Sequence, residues 1–153
     1  MNIFILDKNI EKIPQYLVDK HINAQIKEGA QMLSSVFWTH DVKWAQKLYD
    51  NNIIYALAFK NHPCTIWTRT SISNWLWLKK LIFLTNEEKR FRYEDKPDHK
   101  SYLLVKNMPI PCFLPGKGLT PFVQAMPDKI KCSNAVKAYR KYYIYSKQHL
   151  FSW

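Results

Sequence analysis

The sequence predicts an all-α fold, a compact single-domain helical chain (residues 1–153) carrying one long Pro/Gly-rich loop. Three observations predict it. Apolar residues recur at three- and four-residue steps through Ile22, Ile26, Ala30, Leu33 and Phe37, which lays one stripe along a helix. Glycine is scarce, at Gly29, Gly116 and Gly118, and no Asn-Gly pair is present, so repeated hairpins lack their turn chemistry. A chain of 153 residues also buries most of its unfolded surface without a disulfide or metal staple.

The elements follow in order. After the apolar segment Ile3-Phe4-Ile5-Leu6, Pro14 suits the first turn of a helix that runs to about Trp38. Its polar side carries Lys20, Lys27, Glu28 and Gln31. A second, short helix is expected over Asp41 to Tyr49. Asn61-His62-Pro63 breaks the chain, because Pro63 disfavours helical geometry for the residue before it. Ser71 or Ser73 then caps a helix from about Asn74 to Arg92, with Trp75, Leu78, Ile82 and Leu84 facing inward. Residues 107–119 read as a surface loop, and Ser133 caps a last helix ending near His149.

Charge narrows the partner. Lys and Arg number 23 against 12 Asp and Glu, a net +11 that points to a polyanion. No apolar run approaches the ~20 residues of a spanning helix, and Asp7 interrupts the only apolar run that could serve as a signal sequence. Cys64, Cys112 and Cys132 are odd in number and widely spaced, which reads as free thiols in a reducing compartment. The expected setting is the cytoplasm, that of the host if the gene is viral, with no membrane partner. Aromatic residues make 15% of the chain. Most belong in a core, and some rings are expected to stack on bases.

Common catalytic signatures are missing: there is no H-E-x-x-H, no phosphate-binding glycine loop, no G-x-S-x-G and no C-x-x-C. The histidines, at 21, 40, 62, 99 and 149, are too scattered to announce a zinc site. No metal or other cofactor is expected. On the first helix His21 and Glu28 lie seven residues apart, two turns along one face. By themselves these residues also fit a solvated helix face with i,i+4 charge partners.

The stretch Leu17-Val18-Asp19-Lys20-His21-Ile22-Asn23-Ala24-Gln25-Ile26-Lys27-Glu28 resembles the first-helix motif of the phage pyrimidine-dimer DNA glycosylases of the endonuclease V type, L-A-D-Q-H-x-x-A-E-x-R-E. The Asp, the His, the Ala, a basic residue and the final Glu keep register without a gap. Two weaker patches support it: Leu57 to Trp67, with His62 at a family histidine, and Tyr139-Arg140-Lys141-Tyr142-Tyr143 with Lys147 beyond, against an aromatic W-Y-x-Y-Y-G-K. Well under half of the chain carries the resemblance. A second family arginine meets Gln31 here, and the lead-in to Asp19 is longer than in the family.

The resemblance implies a compact, basic, helical enzyme that flips a base from the duplex. It attacks C1′ with an N-terminal α-amine, forms an imine and cuts the strand by β-elimination. Glu28 takes the place of the catalytic carboxylate, Met1 supplies the amine, and His21 completes the catalytic set. An α-amine, with an ordinary pKa near ~7.7–8, is partly free base at neutral pH, whereas a lysine at ~10.4 needs a large depression. A lysine such as Lys20 is the alternative nucleophile. The expected contacts to double-stranded DNA are Lys20, Lys27, Gln31, His62, Arg69, Arg140, Lys141, Tyr142, Tyr143 and Lys147, on a monomer. Two alternatives share the scaffold: a non-catalytic nucleic-acid-binding protein, and a metal-independent nuclease with His21 and Glu28 as acid and base.

Overall fold

Arg92 clamps the chain just before the first long helix. A computed structural model of the chain describes residues 2–151. In it the Arg92 guanidinium donates to the carbonyls of Pro14, Gln15 and Leu17 and to the carboxylates of Asp19 and Glu88. Pro14 O also accepts from Leu17 N–H at 3.1 Å, so Arg92 clamps a lead-in that keeps its own turn. Pro14 opens a separate 3-10 turn, Pro14–Tyr16, and Leu17 and Val18 are extended. The helix α1 begins at Asp19 and runs to His40. The expected start in the turn at Pro14 is thus corrected. An earlier 3-10 turn spans Ile10–Lys12.

The apolar stripe Ile22, Ile26, Ala30, Leu33 and Phe37 is fully buried. Packing continues around the C-terminal half of α1, where Met32 through Phe37 are all buried. It is a central helix, contacted by α2 (Val42–Asp50), α3 (Pro63–Thr68), α4 (Ile72–Arg92) and α5 (Lys100–Asn107). Gly29 brings α1 against α4: a Cβ there would stand 2.9 Å from both Cγ1 and Cδ1 of Ile82. Asp41 caps α2 through the amides of Lys43 and Trp44. Ser71, not Ser73, caps α4 by accepting from Asn74 N–H. Trp75, Leu78 and Ile82 are buried as expected, but Leu84 is half-exposed and Leu81 takes the inward position.

The remaining helices differ from the sequence reading. Pro63 does not merely break the chain; it occupies the first turn of α3, with the His62 side chain accepting from Cys64 N–H as the cap. His99 caps α5 in the same way. The long loop therefore begins at Met108, after α5 ends, and runs to Pro127 before a 3-10 turn at Asp128–Ile130. It is pinned along its length: Ile72 N–H donates to Pro115 O, Ser71 Oγ to Gly118 O, Asn74 Nδ2 to Thr120 Oγ1 and Trp67 Nε1 to Pro121 O. The last helix, α6 (Ala135–Lys147), is capped by Asn134 rather than Ser133, and a 3-10 turn at Gln148–Leu150 follows.

The fold is all-α, with no strand among the described residues. None of the helices described is long and apolar enough to cross a membrane. Residues 2–6 form neither helix nor strand and are buried throughout. Buried Gln25 of α1 serves them as a ladder partner, donating to Asn2 O at 3.3 Å and accepting from Phe4 N–H at 3.4 Å.

Candidate active site

The N-terminal segment and α1 reach the surface together at a pocket of about 210 Å³. Its walls are Asn2 and Phe4 from the segment, His21 and Glu28 from α1, Ala125 from the long loop, and Tyr142 and Lys147 from α6. Pockets for drug-sized ligands hold roughly 300–1,000 Å³, so this one admits a single sugar- or base-sized group. The pocket thus joins three sequence-predicted features: the His21/Glu28 face, the apolar start of the chain and the aromatic-basic C-terminal helix.

Asn2 is its most heavily fixed residue. The Asn2 backbone N–H donates to Glu28 Oε2 at 3.1 Å. Its side-chain Nδ2 donates to Ala125 O at 2.8 Å. Its Oδ1 accepts from Ile3 N–H at 2.8 Å and from the Cys64 thiol at 3.6 Å, and lies 2.9 Å from the Tyr139 hydroxyl. The long loop, α1, α3 and α6 therefore all converge on residue 2. Met1, expected to supply the amine, lies outside the described residues.

His21 is oriented from two sides. Its ring stacks on Phe4 at 4.7 Å between centroids, with 20° between the planes. Behind it, Val18 N–H donates to the Tyr143 hydroxyl at 3.0 Å, and that hydroxyl lies 2.6 Å from His21 Nδ1. Burial pushes the Tyr143 phenol up to about 12. Burial, helped by the charge of Lys147, pulls His21 down to about 4. At neutral pH the phenol keeps its proton and the ring carries one, so the two neutral groups share one hydrogen bond whose donor follows the ring tautomer. His21 is thus a neutral ring, a different character from the acid of a His/carboxylate pair.

That lowered value has a consequence for stability. The unfolded histidine takes up a proton below its ordinary 6.5, while the folded one resists until about 4. Protons therefore favour the unfolded chain across that interval, and stability falls as pH drops through it. Thermal unfolding followed over the same range should show the decline, flattened in His21→Gln. An equally steep decline in the variant would remove His21 as its cause.

The other sequence-predicted residues divide. Tyr142 and Lys147 line the pocket, with Lys147 Nζ 5.5 Å from the centre of the Tyr142 ring. Tyr143 is 5% exposed; its ring is interior and acts through His21, so a direct DNA contact is corrected. Arg140 donates to Leu6 O at 2.7 Å and to Asp7 Oδ2 at 2.9 Å, clamping the N-terminal segment while staying half-exposed. Lys20, Lys27 and Lys141 are exposed and Gln31 half-buried, all outside the pocket lining. A nucleophilic lysine in the pocket would therefore be Lys147, in place of Lys20. His62 is half-buried at the cap of α3, held below its ordinary pKa by burial while nearby Glu28 pulls the other way. Arg69 is half-buried and donates to Lys60 O.

Asn2 as an anchor, Phe4 as a stacking wall and Ala125 were not legible in the sequence, since none carries a charge or a spacing that announces a site. Cys64 is buried, and burial pushes its thiol up to about 11, which makes it a poor nucleophile. A larger hollow of about 390 Å³ beside Tyr16, Val18 and Phe151 includes Asp19 and Arg92, already paired at 2.9 Å. Among the described residues no three of His, Cys, Asp and Glu converge as a metal site requires. Compared with family models, with curated proteins and with solved structures, the chain matches none.

Proposed function

We propose that this chain is a DNA glycosylase with associated AP lyase activity, acting on pyrimidine dimers or another modified base in double-stranded DNA through an imine. The observation that carries the reading is the Asn2 N–H on Glu28 Oε2, at the wall of a pocket sized for one sugar. Met1, whose α-amine is the proposed nucleophile, precedes Asn2 in the sequence.

In the proposed reaction the free amine forms a bond to C1′ as the bond from C1′ to the base breaks, and the base leaves with a proton. Opening of the sugar ring then gives the protonated imine. Loss of a proton from C2′ breaks the C3′–O bond, and the 3′ phosphate departs. Positive charge develops on the sugar in the first step and resides on the imine in the later ones. In this reading Glu28 stabilises both and moves the protons. In the tautomer protonated on Nε2, His21 offers that N–H to an oxygen that gains negative charge, such as the ring oxygen on opening. Lys147 and Tyr142 at the rim suit a phosphate and a stacked base.

Borohydride trapping on duplex DNA with an abasic site tests this directly. A covalent adduct is expected. A retarded band without an adduct would favour a non-catalytic binder, and cleavage without an adduct would favour the metal-independent nuclease.

A further inference from the structure

Tyr143, whose hydroxyl touches His21, is also a wall of the second hollow, of about 390 Å³, with Tyr16, Asp19, Arg92 and Phe151 among the other walls. Its volume lies within the range of small-molecule sites. An arginine in a hollow ordinarily announces an anion, but here it does not. A guanidinium carries five N–H donors. Arg92 spends all five, one on Glu88, one on Asp19 and three on the carbonyls of Pro14, Gln15 and Leu17. No donor is left for the oxygens of a phosphate or carboxylate ligand.

The charge balance runs the other way. Asp19 and Glu88 pair with Arg92 at 2.9 and 2.7 Å, so two carboxylates answer one guanidinium. The Asp19 side chain is 52% exposed against 19% for Arg92, which puts negative charge at the solvent side. Tyr93 also hydrogen-bonds Asp19, holding the carboxylate in place without discharging it. The first residue of α1 and the last of α4 meet here, and the opposite partial charges of those helix ends offset each other. Arg140, 5.6 Å from the centre of the Tyr16 ring, is itself paired with Asp7. Three rings complete the walls. Tyr143 and Phe151 meet at 44° with centroids 5.8 Å apart, and exposed Tyr16 is the third. On a chain of net +11, this is an acidic, aromatic recess.

We propose that this hollow binds a small alkylammonium cation, held by the rings of Tyr16, Tyr143 and Phe151 and by the charge of Asp19. Aromatic faces attract ammonium groups through the ring quadrupole, and sets of such rings are a known means of holding quaternary heads. A buried anion would find only spent donors, and a neutral ligand would leave the Asp19 charge unused. The site goes beyond the glycosylase reading and does not depend on it, although Tyr143 makes it a neighbour of His21.

Titration of the whole chain with choline and with its neutral isostere, 3,3-dimethylbutanol, separates charge from shape. Choline is expected to bind, and the isostere about tenfold more weakly. Ring-proton NMR signals of Tyr16, Tyr143 and Phe151 should move together as choline is added, which locates it. Asp19→Asn keeps an oxygen for Arg92 but removes the charge, and should weaken choline about tenfold. Tyr16→Leu keeps an apolar wall without the π face, and should weaken it about threefold. Affinity for the isostere should be unchanged in Asp19→Asn, a control that a misfolded variant would fail. Putrescine, titrated in parallel, distinguishes the source: tighter choline binding indicates a methylated head and tighter putrescine binding a polyamine, and either supports the site. Equal affinity for choline and its isostere would overturn it, since the hollow would then be merely apolar. So would binding that leaves the three rings unmoved, or an absence of binding by both cations. Benzoate binding more tightly than either cation would make the hollow an anion site and end the proposal.

Discussion

Glu28→Gln is expected to slow strand cutting at an abasic site by roughly 10²–10³-fold, the loss typical of removing one preorganised electrostatic stabiliser. The amide keeps the size of the carboxylate, and its oxygen can still accept from Asn2 N–H, so the N-terminal segment stays in place. What disappears is the negative charge opposite a cationic sugar and a cationic imine. Affinity for intact DNA should change little, because the proposed binding draws on the many cations of a +11 chain. Single-turnover cleavage of an abasic duplex, measured beside a binding isotherm, separates the two effects. Cutting at the wild-type rate would make Glu28 an anchor for residue 2 and nothing more.

One residue added before Met1 should eliminate borohydride trapping while leaving fold and DNA binding intact. The addition moves the terminal amine by up to ~3.5 Å, well beyond a working attack distance. The segment cannot slide to compensate. Ile3, Phe4, Ile5 and Leu6 are each buried, and Asn2 is tied to Glu28, Ala125, Cys64 and Tyr139. Shifting the register by one would put the Met1 side chain into the polar socket that Asn2 fills and Asn2 into the buried apolar site of Ile3. Acetylating the amine should have the same effect by removing its nucleophilicity. Trapping that survives both changes and vanishes in Lys147→Ala would transfer the nucleophile to that lysine. Mass spectrometry of the trapped peptide reads the answer in either case.

The parts of this molecule written in local chemistry are legible in the amino-acid sequence. The α1 stripe has helical period, and all five of its residues are fully buried. Ser71 and Asp41 bear side chains that accept from helix amides, and both do so. Two short helices escaped because their caps are histidines, His62 and His99, whose cap role has no sequence signal to set them apart from scattered ring residues. The start of α1 escaped for another reason. Its lead-in is clamped by Arg92, 78 positions from Pro14, and nothing near Pro14 anticipates that contact. The site divides along the same line. His21 and Glu28 share a helix face and could be paired by counting, whereas Asn2, Ala125 and Tyr143 meet them only through tertiary packing. Tyr143 shows the limit well: in the sequence it is one ring among several, and only burial distinguishes it from Tyr142.

The convergence on Asn2 also bears on how the chain acquires its site. Asn2 and Tyr139 are 137 positions apart, and Val18 and Tyr143 are 125 apart. Contacts of such span are among the costliest to close and so form late, after local helices have collapsed. A chain emerging from the ribosome would hold Glu28 and His21 long before α6 exists to complete their surroundings. The central helices can form first, and the pocket assembles only when the last helix docks. The order reverses on destabilisation: detachment of α6 takes Tyr139 from Asn2 and Tyr143 from His21 together, and removes two walls of the pocket. A completed pocket is in this sense a report that α6 has been made and has docked.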